Sequence, residues 1–409
     1  MWRRPAVTFV NGRVVTAAGT RAALRVVGGR VAPEVAPQRG DVVVDLDGAC
    51  VLPGLINAHD HLELNHFGVL GERGSYRHAD DWIAALRPRL RRDPQIRRLA
   101  SYPLADRLFI GGLKNVLSGV TTVAHHNPRY RQIGWRFPVR VLERYRWAHS
   151  YSMSASPVGA FGEPGGDVAR TCAATPGDVP FLVHVGEGTD ERASAELQRF
   201  AADGCLRPNS LIVHGVAHTA DSWGIAVAAG TGLVWCPVSN DFLFGRTVAI
   251  GRLMASVPGS EHAVCLGSDS RLTGALDLLD ELRAAATSGL APDLLLRIVT
   301  TTPSRLLRVP WAGQLAPGGP ADLVVVPADP AAPGDPARAL IAARRRDVGL
   351  VMLGGYPLVG DPRYAPLFDA NGARSRPMRV DGVPRLAANA LARRLARCVI
   401  REPGVDLGS

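Results

Sequence analysis

The sequence predicts an α/β protein whose middle is a somewhat irregular (β/α)8 barrel of the TIM type and whose two ends are β-rich. Three observations carry that expectation. Short apolar runs such as FLVHV, SLIVH, LVWC and AVCL alternate with stretches of helical period such as ERASAELQRFAADG, the grammar of parallel strands joined by crossover helices. Several of these runs end in a residue able to bind a metal or move a proton, and the C-terminal ends of barrel strands are where this architecture carries its chemistry. The chain ends instead hold short β-type runs broken by Asn-Gly and Gly-Gly, which read as hairpins. At 409 residues and 46% hydrophobic content, the chain suffices for one large core plus a satellite lobe.

The elements follow in order. Residues 1–50 carry TFVNGRVV, ALRVVGGRVA and DVVVDLDGACV, the first part of the β-rich lobe. The barrel opens at VLPGLINAHDHLELN (51–65), a compact apolar run that delivers polar residues to a strand end. Side chains at i and i+2 of a strand share a face, so His59 and His61 can offer two imidazoles to one ion while Asp60 turns away. An isolated pair of this kind also fits a strand end that binds nothing. Glu63 and Asn65 continue the same alternation and reach the mouth of a pocket; for Glu63 a salt bridge to an arginine is the competing reading. RPRLRRDPQIRR (87–98) reads as an exposed helix or lid, and GGLKNVLSG as a helix feeding the second strand, GVTTVAHHNP (119–128). His125 and His126 there point opposite ways, so at most one faces the pocket; His126 shares the face of Thr122 and Ala124, and local packing is its alternative.

From His126 to His184 the text is short and irregular, so the third and fourth strands must be brief. Three clear strands follow. FLVHVGEG (181–188) runs into His184 with Glu187 three residues on, SLIVHGV (210–216) ends at His214, and AVCLGSDS (263–270) ends at Asp269. For Glu187 a solvated loop position is the alternative, and for His214 a satisfied core histidine. Helices then close the barrel, and after residue 310 ADLVVV and DVGLVMLGGYPLVG return to β character before an amphipathic tail helix over 385–400. The expected division is 1–50, 51–310 and 311–409.

The net charge of +10 comes almost wholly from arginine. Its dispersal, and the lack of interleaved aromatic residues, argue against a nucleic-acid partner. Six cysteines are scattered without CxxC pairs, as in a reduced cytoplasmic protein. Neither a secretory leader nor an apolar run long enough for a membrane span is evident. GxSxG elbows, Walker loops and GxGxxG fingerprints are also missing. The expected partner is a small-molecule substrate, and a homodimer is compatible with the chain.

In order, PGLINAHDH, HVGE, VHG, CPVSN and LGSDS resemble the amidohydrolase superfamily, in particular the branch of cytosine deaminases and triazine hydrolases that carry one metal ion. The resemblance implies that His59, His61, His184 and Asp269 are the metal ligands. It makes Glu187 the proton shuttle, His214 the residue that positions water or substrate, and Asp269 also the acceptor of the water's proton. In deaminases with HxHLE the glutamate grips an amidine or amine, which would be Glu63, and His126 is a second candidate for substrate contact. The resemblance also joins the two chain ends into one β-sandwich. Relatives with two metals bridge them through a carbamylated lysine late in the fourth strand. The only lysine here is Lys114, in the wrong place, and arginine cannot substitute because it stays protonated. One divalent transition ion is therefore expected, zinc ahead of iron. The implied reaction is hydrolysis of a non-peptide C–N bond, foremost deamination of an amino-heterocycle or amidine, with cyclic or linear amide hydrolysis as the alternative. A non-catalytic metal-binding or sensor protein on the same scaffold is the rival of another class.

Overall fold

A computed structural model describes residues 5–134, 136–154 and 165–408; part of the irregular stretch before His184 lies outside them. Eight strands form the middle of the chain: β1 (Leu55–Asp60), β2 (Val120–His125), β3 (Arg140–Val141), β4 (Arg146–Trp147), β5 (Phe181–Val185), β6 (Ser210–His214), β7 (Gly232–Trp235) and β8 (Val264–Leu266). Every pairing among them is parallel. Their residues are buried almost throughout, which explains why they read as unbroken apolar runs rather than alternating ones.

The strands pair as two sheets, β3-β2-β1 and β4-β5-β6-β7-β8, rather than as one continuous ring. One seam falls between β3 and β4, each only two residues long and too short to carry a ladder across. At the other seam, the amides of Ser268 and Asp269 both donate to the His59 carbonyl, at 3.0 and 3.1 Å. The approach there needs glycine: a Cβ on Gly267 would stand 2.7 Å from the Cβ of His59. Helices α1 (Ala79–Arg92) and α2 (Leu104–Leu117) fill the connection between β1 and β2, and α3 (Pro237–Phe244) follows β7. The basic stretch 87–98 falls on the end of α1 and on the helix Pro94–Ala100, its arginines mostly exposed.

The ends of the chain meet in a nine-stranded sheet. Cys50–Pro53 lies between Leu323–Val326, antiparallel to it, and Arg13–Thr16, parallel to it. A four-stranded sheet built from Val7–Val10, Leu24–Val27, Arg30–Val31 and Val42–Asp45 shares an apolar cluster with the larger one, in which Phe9, Leu24 and Val44 meet Leu323, Val325 and Met352. The tail departs from expectation. Val383–Ala388 is a strand paired with Ser375–Val380, and the helix spans only Asn389–Ala396. Arg385, which reads as the polar face of a helix, is instead buried, donating to the Val348 carbonyl at 3.0 Å and to Asp361 at 3.3 Å.

Candidate active site

The C-terminal ends of β1, β5, β6 and β8 gather their polar residues around one point. The rings of His59 and His61 lie 4.9 Å apart, as do those of His59 and His184. Asp269 Oδ1 is 3.7 Å from Nε2 of both His59 and His61. Two overlapping groups each bring their ligand atoms within 4.8 Å of one another: His59, His61 and Asp269, and His59, His184 and His214. His59 is fully buried, and neither of its ring nitrogens has a hydrogen-bond partner. A buried polar atom left unpaired is costly. Burial, with mutual proximity, drives His59 and His184 well below the ordinary histidine range and His61 to about 3, so these imidazoles are neutral and keep their lone pairs. Neutral imidazoles with one carboxylate are a donor set suited to a divalent transition ion.

Neighbouring groups fix the orientation of these side chains. His184 Nδ1 lies 2.8 Å from the His149 carbonyl, so the proton sits on Nδ1 and Nε2 is left to bind. Asp269 Oδ2 accepts from Ser239 Oγ at 2.8 Å and Thr273 Oγ1 at 3.0 Å, and Oδ1 accepts from the Ser270 amide at 2.6 Å. Burial opposes its charge, but the neighbouring imidazoles and Ser239 outweigh it and hold the carboxyl below the usual range. His214 Nδ1 lies 2.8 Å from Asn240 Oδ1 and Nε2 lies 3.5 Å from Glu187 Oε1. Both His214 and Asp269 adopt left-handed backbone, with φ of 70° and 49°, a conformation that costs free energy in residues other than glycine and clusters at functional sites. Burial lifts the Glu187 carboxyl to about 7, against the opposing pull of His214.

A cavity opens onto His61, His184, His214, Asp269 and Glu187. Its outer wall is apolar, from Trp82 and Ile83 of α1, Met153, Leu243 and Leu272. The two residues expected to touch substrate lie elsewhere. Glu63 accepts from Asn127 Nδ2 at 2.5 Å and from Tyr130 Oη at 3.2 Å, behind His61. His126 packs against both His59 and His184, its Nε2 3.1 Å from the Ala148 carbonyl. Neither lines the cavity. His78 and His149, to which no sequence pattern assigns a task, do line it. Ser239 and Asn240 stand within CPVSN, a segment legible as part of a motif but without an assigned task. Lys114 Nζ donates to Asp60, Asn65, Ser268 and the Asp269 carbonyl and does not line the cavity.

A family model described as "Amidohydrolase family" matches residues 169–357. A 5-methylthioadenosine/S-adenosylhomocysteine deaminase from Nitratidesulfovibrio vulgaris is 25% identical over 368 residues, covering 79% of this chain and 82% of that protein. Among solved structures, a zinc-bound adenosine deaminase from Xanthomonas campestris superposes with a TM-score of 0.66 at 18% identity, covering 90% of this chain and 97% of its own. An atrazine chlorohydrolase from Arthrobacter aurescens complexed with zinc superposes at 0.63 with 17% identity, covering 89% and 99%. At these identities the structural likeness establishes the fold, a (β/α)8-type architecture.

Proposed function

We propose, for a chain that is an amidohydrolase-superfamily hydrolase of the deaminase kind, that it removes ammonia hydrolytically from a small amino-heterocycle or amidine. The observation that carries this is Glu187, a carboxyl lifted to about 7 at the wall of a cavity floored by imidazoles. A general acid works best with a pKa near the working pH, and a ring nitrogen must be protonated before an exocyclic amine can leave.

In this reading His59, His61, His184 and Asp269 hold one divalent ion, zinc rather than iron, because the donors are mostly imidazole and zinc accompanies both structural neighbours named above. When bound, such an ion supplies Lewis acidity and activates water near neutral pH. Asp269, held as a carboxylate, would both help to hold the ion and accept the proton of that water. Glu187 donates to the heterocycle, and His214, its Nδ1 pinned by Asn240, presents Nε2 to the reacting group. Glu63 and His126 take a supporting role: the first sets Asn127 beside His61, the second packs its ring against those of His59 and His184. The apolar outer wall suits the remainder of a substrate that the imidazole floor does not contact. We also assign closure of the two parallel sheets into one barrel, and the two β-sheets to one sandwich lobe with the division 1–50, 51–310 and 311–409.

The test is ammonia release across aminopurines, their nucleosides, aminopyrimidines and aminotriazines, with metal measured by elemental analysis on the same preparation. One ion per chain and ammonia from at least one class is the expected result. A carboxylate product without ammonia would favour amide hydrolysis, and two ions per chain would contradict the ligand set.

A further inference from the structure

We propose that Lys114 is a positioning residue that locks the β1 and β8 ends of the candidate metal site together; the inference rests on the metal reading above. Lys114 lies on α2, fully buried. Its Nζ donates to Asp60 Oδ2 at 3.3 Å, Asn65 Oδ1 at 2.8 Å, Ser268 Oγ at 2.9 Å and the carbonyl of Asp269 at 3.1 Å. Asp60 stands between His59 and His61, and Asn65 follows them. Ser268 and Asp269 belong to the end of β8. The ammonium therefore touches both halves of the ligand set from behind, at a seam where the amides of Ser268 and Asp269 donate to the His59 carbonyl and Asn57 also bonds Ser268.

The surroundings are built for a cation of this shape. Among the described residues Asp60 is the only formal charge in contact with the ammonium, and its remaining capacity is filled by Asn115 Nδ2 at 2.7 Å, Asn57 Nδ2 at 3.1 Å and Asn65 Nδ2 at 2.7 Å. Asn57 also donates to Ser268 Oγ at 2.8 Å, so each member of the cluster contacts both strand ends or a residue that does. A buried charge is tolerated only when it is paired and hydrogen-bonded throughout. An ammonium can direct donors at acceptors around a compact point, whereas the planar guanidinium presents a rigid fork. Every other cationic side chain of the Lys/Arg type in the chain is arginine, and the single lysine occupies this compact, fully hydrogen-bonded place. Groups that orient metal ligands from behind commonly alter affinity by ~10–100-fold when removed.

The experiment compares zinc affinity by chelator competition, and thermal midpoints with and without zinc, in three variants. Lys114→Met leaves Asp60 buried without its cation, so folding itself is at risk. The paired change Lys114→Met with Asp60→Asn removes both charges, and Lys114→Arg keeps the charge while changing its shape. The expected result is a paired variant whose metal-free midpoint stays near that of the metal-free wild type while zinc affinity falls by ~10–100-fold, with no recovery in Lys114→Arg. Zinc affinity within about twofold of wild type in the paired variant would overturn the proposal. So would failure of that variant to fold, or equal losses of midpoint with and without zinc, because each assigns Lys114 to the fold rather than the site. A wild-type chain that binds no zinc removes the metal reading itself, and this inference with it.

Discussion

Glu187 and His184 lie three residues apart yet are asked for different things, and substitution separates them. Glu187→Gln is nearly isosteric and leaves the imidazole cluster intact, so metal content should stay at the wild-type level. Turnover should fall by ~10²–10⁴-fold, the usual contribution of a positioned acid–base group. His184→Ala removes a ring whose Nδ1 is held by the His149 carbonyl, so metal content and turnover should fall together. Turnover near wild type in the glutamine variant would return Glu187 to the solvated-loop reading while leaving the imidazole cluster untouched. A second residue-scale expectation concerns His78, 3.3 Å from Asp80 and 3.6 Å from Glu196. Burial opposes its charge, but the two carboxylates outweigh burial and raise it to about 10. A histidine that holds its proton more tightly folded than unfolded adds stability below its unfolded value of about 6.5, and that stability is lost as pH rises through the folded value. The denaturation midpoint should therefore decline from pH 7 to 10 more steeply in the wild type than in His78→Gln. Parallel pH profiles for the two proteins would refute the assignment.

At the scale of elements, what was legible in the sequence is what local periodicity encodes. His59, His61, His184, His214 and Asp269 were readable because each ends an apolar run, and those runs do converge on one cavity. Ser239, Asn240, Thr273, Asn127 and His149 were not, because each reaches the site through a tertiary contact that no spacing announces. Glu63 shows the limit of alternation: β1 stops at Asp60 and a 3-10 turn over Leu62–Leu64 redirects the side chain. The tail misled for a related reason. RLAANALARR has helical period, but pairing with Ser375–Val380 claims its first residues for the sheet. Packing of α2 against that 3-10 turn gives a test. A Cβ on Gly111 would stand 2.2 Å from the Leu62 carbonyl oxygen and 2.7 Å from the Leu62 Cα, both backbone atoms that cannot swing aside. Gly111→Ala should cost about 1–3 kcal/mol, as overpacking does, and should loosen metal retention because Leu62 adjoins His61. An unchanged melting temperature in that variant would show that α2 has room to retreat.

For the whole molecule, net charge is a poor guide to the cavity. The chain carries +10, yet the charged residues lining the cavity, among those described, are Asp80, Glu187, Glu196, Asp269 and the protonated His78, with no arginine. The excess of arginine thus belongs to other surfaces, and it does not prepare this site for an anionic substrate. The nine-stranded sheet sets a constraint of a different kind, because three strands at one side of it come from the N-terminal part of the chain. Cys50–Pro53 is the strand on which Leu323–Val326 pairs across about 270 residues of intervening chain, and Arg13–Thr16 covers its other edge. Removing residues 1–50 would take away Arg13–Thr16, the whole four-stranded sheet and its half of the shared apolar cluster. What remains is a sheet with an uncovered edge and apolar side chains facing water, the circumstances in which strands pair with other chains. The truncated chain should aggregate or lose the lobe, seen as broadened size-exclusion profiles and as early proteolysis within 311–409. Because Arg140 of β3 is held at 2.8 Å by Asp322, next to the strand Leu323–Val326, the damage should reach the parallel sheets as lower turnover. A truncated chain that stayed monodisperse and fully active would mean that the two ends fold independently, and would sink the single-lobe reading.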